Sequence, residues 1–382
     1  MDPCYLDWAA TAPPYDDIAR EAAELSLRLY ANPSSAHKPG KNAKDELESA
    51  RDRLARALGC KNEEVHFCSG GSEADSIILL SRLASQAKGN VVISAIEHSA
   101  VYEQASVFKR FGLAVRAVKP DGNGIVKVES VMQATDDDTS LVSIMHVNNE
   151  TGAIQPIADI AKALKKRYKA KAPIFHTDAV QALGKIPCDL GKLGVDAASF
   201  SAHKLGGPRG IGALCLKKPV EALCRGGGQE GGIRAGTQNL AGAWAFSRAA
   251  ERAVGAMASS FDRARLLEGR LIAGIGAIPG ACILPLDRIA GSDDFSPYIV
   301  CASFPGLSGE TLARILDDEG IAVSTGSACS HASKERRVLD AQGVARELSF
   351  SSIRISTGRD TPAAGIDRFL ERAAAAYARY KL

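Results

Sequence analysis

Residues 195–217 read VDAASFSAHKLGGPRGIGALCLK. Two apolar runs, VDAASFSAHK (195–204) and GIGALCLK (210–217), have the length and texture of buried strands. Between them lies LGGPRG, a turn with little side-chain cover. One lysine, Lys204, stands where the first run meets the turn. Taken alone, such a lysine is an ordinary surface residue, so the stretches upstream have to decide what it is.

Upstream, strand-like and helix-like segments alternate. The segment 42–59 puts Leu47, Ala50, Leu54 and Leu58 on one helical face and stops at Gly59. A strand then runs into Cys68-Ser-Gly-Gly71, and a helix over 72–87 opens with Ser72 three residues before Asp75, a capping-box spacing. Strands are expected at 91–95, 113–120, 140–149 and 172–179, with helices at 99–111 and 156–170 between them. This alternation predicts an α/β fold, a mostly parallel sheet between helices. After about residue 240 the texture changes. A long helical tract (240–277), a strand (298–304), a helix (308–319), a strand (350–356) and a closing helix (363–380) read as a smaller C-terminal α+β domain. The expected division is 15–250 for the large domain, and 1–14 with 251–382 for the small one.

The totals narrow the function. The chain has 382 residues and a formal net charge of +3, near balance, which gives no reason to expect nucleic acid or a membrane surface as partner. No apolar stretch reaches the roughly 18 residues of a membrane span, and MDPCYLDWAATAPP has no secretory pattern. Nine cysteines are present, with no C-x-x-C pair. An odd count without paired spacing argues against a disulfide framework or a metal site, and fits a reducing cytoplasm. Cys215 and Cys301, in strand-like runs, read as core residues.

In parallel α/β sheets ligands sit outside the carboxyl ends of the strands. Those ends carry Gly71 and Ser72, His98, Asn148 and Asn149, Asp178 followed by Gln181, and Ser201 with His203 and Lys204. A lysine that forms a Schiff base and a carboxylate that keeps a pyridine nitrogen protonated are the pair required by pyridoxal phosphate. Lys204 and Asp178 are those residue types at two strand ends. Ser69-Gly-Gly-Ser72 before a helix reads as a simple cap or as a phosphate cradle, and Ser201 and His203 are near enough in sequence to Lys204 to reach the same phosphate. His98 reads as a core histidine or as a group stacked on the cofactor ring.

The segments IEHSAV, SIMHVNNETG, HTDAVQALGK, SFSAHKLGGPRGIGAL, GGGQEGGIRAGTQ, STGSACSHAS and SSIRISTGR together resemble the cysteine desulfurases of the NifS/IscS type. YLDWAATAP and NPSSAH are similar to that family too, and the likeness runs in order along nearly the whole chain. The resemblance implies aminotransferase class V, fold type I, with seven strands in the large sheet. It implies pyridoxal 5'-phosphate as cofactor and L-cysteine as substrate. Lys204 would be the Schiff-base lysine, Asp178 the pyridinium partner, Gln181 the contact of the ring hydroxyl, and His98 the stacked, proton-exchanging histidine. Gly71, Ser72, Ser201 and His203 would hold the phosphate, joined by Thr237 from a second subunit of a homodimer. Arg354 would hold the substrate carboxylate, with Asn149 beside it and Asn32 as a further candidate. Cys329, in VSTGSACSHAS (323–333), would be the nucleophile that takes the sulfur as a persulfide and passes it to an acceptor such as an iron–sulfur scaffold protein.

The small residues around Cys329 bear on that role. Gly326, Ser327 and Ala328 precede it and Ser330 and Ala332 follow it, so it has few anchoring neighbours and is expected to be mobile. A carrier thiol must reach both substrate and acceptor. A chance cysteine on a loop would look the same without Lys204 and Asp178. An aminotransferase or selenocysteine lyase of the same fold, or a non-catalytic relative, are the competing readings. The chain departs from the family at Gly231, where arginine is usual, at Arg209, where lysine is common, and after Cys329, where SHASKERRVLDAQG lacks the usual proline.

Overall fold

The computed structural model describes residues 4–326 and 336–381, so Cys329 lies outside the described residues. The strands are β1 (Cys4–Tyr5), β2 (Val65–Cys68), β3 (Asn90–Ser94), β4 (Ala114–Val118), β5 (Thr139–Ser143) and β6 (Ile174–Asp178). They continue as β7 (Ala197–Ser201), β8 (Gly212–Leu216), β9 (Cys282–Leu284), β10 (Ile299–Ser303), β11 (Ile321–Ala322) and β12 (Ser352–Ser356).

Seven of these form one sheet in the order β2-β8-β7-β6-β5-β3-β4. β3, β4, β5, β6 and β7 pair in parallel, and β8 is antiparallel to both β7 and β2. Six strands therefore point the same way and their carboxyl ends share one edge. Alternate residues feed two apolar layers: Val92, Ala198, Ala213 and Cys215 pack on one face, Val91, Ile93, Ala197 and Leu214 on the other. The helices Lys38–Leu58 and Leu240–Gly255 cover the first face and Gly71–Ala84 the second.

The helix Lys38–Leu58 buries Leu47, Ala50, Leu54 and Leu58, the predicted stripe, and ends at Gly59 with φ 65, the left-handed turn that glycine adopts without strain. A separate apolar cluster joins Cys4 and Leu6 to residues of 267–377. It surrounds the antiparallel sheet β12-β10-β9 and the parallel pair β1-β11.

The structure differs from the sequence reading in several places. The helix expected over 99–111 is two, Ser99–Tyr102 and Gln104–Arg110, and the tract 240–277 breaks at Ala256. β5 ends at Ser143, not at 149: Ile144 N and His146 N still reach His176 O and Asp178 O beside it, but from residue 147 the chain turns into loop bonds such as Asn148 N to Ala153 O. The Ser72/Asp75 capping box is not used. That helix starts at Gly71 with Gly70 as N-cap and no side-chain cap, while Asp75 is buried against the sheet, 3.6 Å from His176 Nε2. The helix Asp16–Arg28 and the short strand β9 had no clear signal.

Candidate active site

Five carboxyl ends of parallel-running strands surround a cavity of about 300 Å³. Its lining includes Gly71, Ser72, His98, Asn149, Asp178, Gln181, Ser201, His203, Lys204 and Arg354, ten of the residues singled out in the sequence. Asn32 and Thr237 are exposed and do not line it. Asn32 Oδ1 instead accepts the Ser34 N–H at 2.9 Å.

Asp178 ends β6 and is buried. Its carboxylate accepts the Val180 N–H at 3.0 Å. Burial pushes its pKa up, opposed by His98, by the Val180 N–H and by Lys204. A buried carboxylate is costly without a cationic partner, and a protonated ring nitrogen is such a partner.

Lys204 closes the 3₁₀ turn Ala202–Lys204 directly after β7. Its Nζ donates to Ala9 O and Ala10 O, each at 2.8 Å. Those carbonyls belong to the N-terminal segment, which the lysine holds across the cavity. Gln181 Nε2 donates to the same Ala9 O at 2.8 Å, and its Oε1 accepts from Lys185 Nζ at 2.7 Å. The amide expected to meet a ring hydroxyl is thus already oriented, with its N–H side inward.

His98 follows β3 by a short turn and caps the helix Ser99–Tyr102, its Nδ1 accepting the Ala100 N–H at 3.1 Å. Burial lowers its pKa, with Asp178 opposing and Lys204 and Arg337 adding to the effect. The neutral ring with Nδ1 as acceptor carries its hydrogen on Nε2.

At the other end of the cavity the helix Gly71–Ala84 begins, and its first backbone N–H groups have no partner within the helix. A Cβ at Gly71 would meet Val180 Cγ2 at 2.6 Å, and one at Gly212 would meet Phe200 O at 2.5 Å, so these positions need glycine for close approach. His203 pairs with Thr11 Oγ1 at 3.1 Å. Burial, Lys204, Lys185 and Arg209 hold its pKa down at about 4. That many cationic neighbours mark an end of the cavity that attracts an anion.

Arg354, on β12, is buried. It donates to Asn149 O at 2.9 Å and to Asp7 Oδ1 at 2.7 Å, while its Nε has no hydrogen-bond partner among the described residues. A buried guanidinium that lines the cavity suits a small carboxylate.

The family described as aminotransferase class-V matches residues 4–369. The chain belongs to that family. It is 38% identical over 375 residues to the cysteine desulfurase IscS of Clostridium botulinum, covering 96% of this chain and 92% of the relative. A solved NifS-like protein superposes with a TM-score of 0.90 at 37% identity, over 99% of this chain and all of the other. A structure described as SspA in complex with cysteine superposes with a TM-score of 0.79 at 27% identity, over 93% of this chain and 98% of the other.

The aminotransferase class-V assignment makes pyridoxal phosphate the cofactor, and the residues fit it. A buried carboxylate, a lysine amine, a helix N-terminus and a cluster of cations line one cavity. Several contributors were missed in the sequence: Ala9 and Ala10 through their carbonyls, Lys185 through Gln181, and Asp7 through Arg354. Lys185 lies four residues after Gln181 in QALGK, within reach across a turn. A backbone carbonyl has no sequence signature.

Proposed function

We infer that the chain is a pyridoxal-phosphate-dependent cysteine desulfurase, converting L-cysteine to L-alanine while Cys329 takes the sulfur. The observation that carries this is one cavity lined by the Lys204 amine, the buried Asp178 carboxylate and the Arg354 guanidinium. The balanced reaction is L-cysteine plus the Cys329 thiol to L-alanine plus the Cys329 persulfide.

When bound, pyridoxal phosphate supplies an electron sink that stabilises negative charge at the substrate α-carbon. Asp178 keeps the ring nitrogen protonated, and Gln181 donates to the ring oxygen. Ser72, Ser201, His203 and the amides at Gly71 hold the phosphate. Arg354 binds the substrate carboxylate, with Asn149 at its side. Lys204 holds the cofactor, then takes the α-proton and returns a proton to the product. His98 packs on the ring and supplies a neutral imidazole for proton exchange. The Cys329 thiolate attacks the substrate sulfur, and the carbon–sulfur electron pair stays with the product carbon until it is protonated.

We further propose a cytoplasmic homodimer in which Thr237, exposed on the glycine-rich loop, reaches the neighbouring subunit's phosphate. The sulfur goes to an acceptor protein of iron–sulfur or thio-cofactor assembly. The separate apolar cluster built from Cys4, Leu6 and residues of 267–377 supports dividing the chain into 15–250 and 1–14 with 251–382. Among the described residues no helix is long and apolar enough to cross a membrane.

The test is alanine and sulfide release from L-cysteine with a reductant, for the wild type and Cys329→Ala. The expected result is both products from the wild type and neither from a variant that keeps its yellow cofactor. A fully active variant contradicts the reading and favours an aminotransferase or lyase.

A further inference from the structure

The turn that presents His98 is held by side chains rather than by a sheet ladder. β3 ends at Ser94. Ala95 N still reaches Val118 O, but the next three carbonyls accept from side chains. Ile96 O accepts from Asn148 Nδ2 at 3.1 Å. Ala95 O and Glu97 O accept from the two terminal nitrogens of a single residue, Arg337, the first at 2.5 Å. The guanidinium also lies over the Tyr102 ring, 4.0 Å from its centroid, and Tyr102 ends the short helix that His98 caps. Arg337 therefore touches the turn on both sides of His98.

Its position in the chain adds a second observation. Arg337 lies just after the segment 327–335. Just before that segment, Ser324 is bonded to Arg354, N to O at 3.1 Å and O to N at 2.6 Å. The described residues on both sides of 327–335 are thus tied to residues that face the cavity, one to Arg354 and the other to the backbone around His98. Arg337 falls within SKERRVLD, where the chain departs from the desulfurase pattern by lacking the usual proline.

We propose that Arg337 is a positioning residue: it clamps the Ala95 and Glu97 carbonyls, fixes the turn that aims His98 into the cavity, and ties that turn to the helix Arg337–Ala341. The role of Cys329 rests on the desulfurase reading; the clamp on His98 does not. The charge of Arg337 acts as well. Among the described residues, the charged groups acting on His98 are Asp178, which raises its pKa, and Lys204 and Arg337, which lower it; the adjacent buried Glu97, held up at about 8, also feels Arg337. Removing the Arg337 charge favours the protonated imidazole and narrows the range in which the ring is neutral.

The experiment compares the pyridoxal-phosphate-loaded wild type with Arg337→Ala and Arg337→Gln. Cofactor content, the pH titration of the yellow band without substrate, and kcat and KM for alanine formation across pH are measured. The expected Arg337→Ala keeps its cofactor and a KM within about threefold of wild type, and loses roughly 10- to 100-fold in kcat, the range expected for a misplaced catalytic group. The acid limb of its pH profile moves to higher pH. Arg337→Gln, which keeps a donor but no charge, shows the same limb shift with a smaller kcat loss, and it decides the matter if the alanine variant does not fold. Both kcat and acid limb unmoved in the folded variants overturn the proposal. If the wild type itself forms no alanine, the desulfurase reading fails, and the band titration still decides the clamp: a shift in the variants supports it, superimposable titrations overturn it.

Discussion

Lys185 Nζ donates to Gln181 Oε1 at 2.7 Å, and through that amide it is linked to Ala9 O, the carbonyl that also holds Lys204. An amide has no preferred orientation until one end is engaged. Lys185 engages the oxygen and so commits the N–H side to the cavity. Burial, Lys204 and Arg354 together lower the Lys185 pKa to about 7. Its unfolded value lies near about 10.4, so above pH 7 the unfolded chain binds more protons here than the folded one. The penalty for folding with this lysine charged is complete below about pH 7 and fades as pH rises toward the unfolded value. Thermal unfolding of the cofactor-free protein should show a stability gain over that window in the wild type and a flatter profile in Lys185→Met. Parallel profiles contradict the assignment.

Among the described residues Asp178 is in no salt bridge, and burial raises its pKa. Asp178→Asn should still load pyridoxal phosphate on Lys204, yet lose about 10²- to 10³-fold in kcat, the scale of removing one pre-organised charge from a reacting centre. Steady-state alanine formation with matched cofactor content checks this. A loss of less than about threefold would mean the carboxylate is only structural.

The Arg354 guanidinium, whose Nε has no hydrogen-bond partner among the described residues, predicts a binding defect more than a chemical one. Arg354→Ala should raise KM for L-cysteine by roughly 10²-fold with a smaller change in kcat. Inhibition by small carboxylates should weaken in parallel. A kcat defect at unchanged KM would place the substrate carboxylate elsewhere.

The glycine-rich loop is anchored by one buried carboxylate. Glu230 pairs with Arg51 at 2.6 Å, accepts the Phe67 N–H at 2.8 Å, and presents its carbonyl to His66 Nδ1 at 3.0 Å. Glu230 itself has φ 50 and Gly231 φ 64, so the loop passes through a left-handed turn at Gly231. Glu230→Ala removes the buried partner of Arg51 and leaves it the half-exposed Glu48, 3.2 Å from its Nε, and should destabilise by about 1–3 kcal/mol in denaturant unfolding. A change below about 1 kcal/mol would mean the pair behaves as a surface bridge.

The fold and most of the site were legible because they rest on local patterns. Buried strands with small residues at their ends gave the sheet, and the residues just past those ends gave Lys204, Asp178, His98 and Ser201. What escaped depends on chain segments far apart in sequence. Ala9 is 195 residues from Lys204, and Arg337 is 242 residues from Ala95; neither contact leaves a spacing to read. The capping-box spacing at Ser72 and Asp75 misled because Asp75 is drawn inward, against His176, rather than back onto the helix end. The free thiols were read correctly where burial decides: Cys215 and Cys301 are buried strand residues, and burial pushes Cys301 up to about 12, far from thiolate at neutral pH.

The most direct measurement is peptide mass analysis of the pyridoxal-phosphate-loaded protein after one equivalent of L-cysteine, without reductant, with alanine counted in the same sample. The account predicts one extra sulfur atom on the peptide that contains Cys329, matched by one alanine per added sulfur. Alanine formed with Cys329 unmodified, or the extra sulfur on another cysteine, would contradict it.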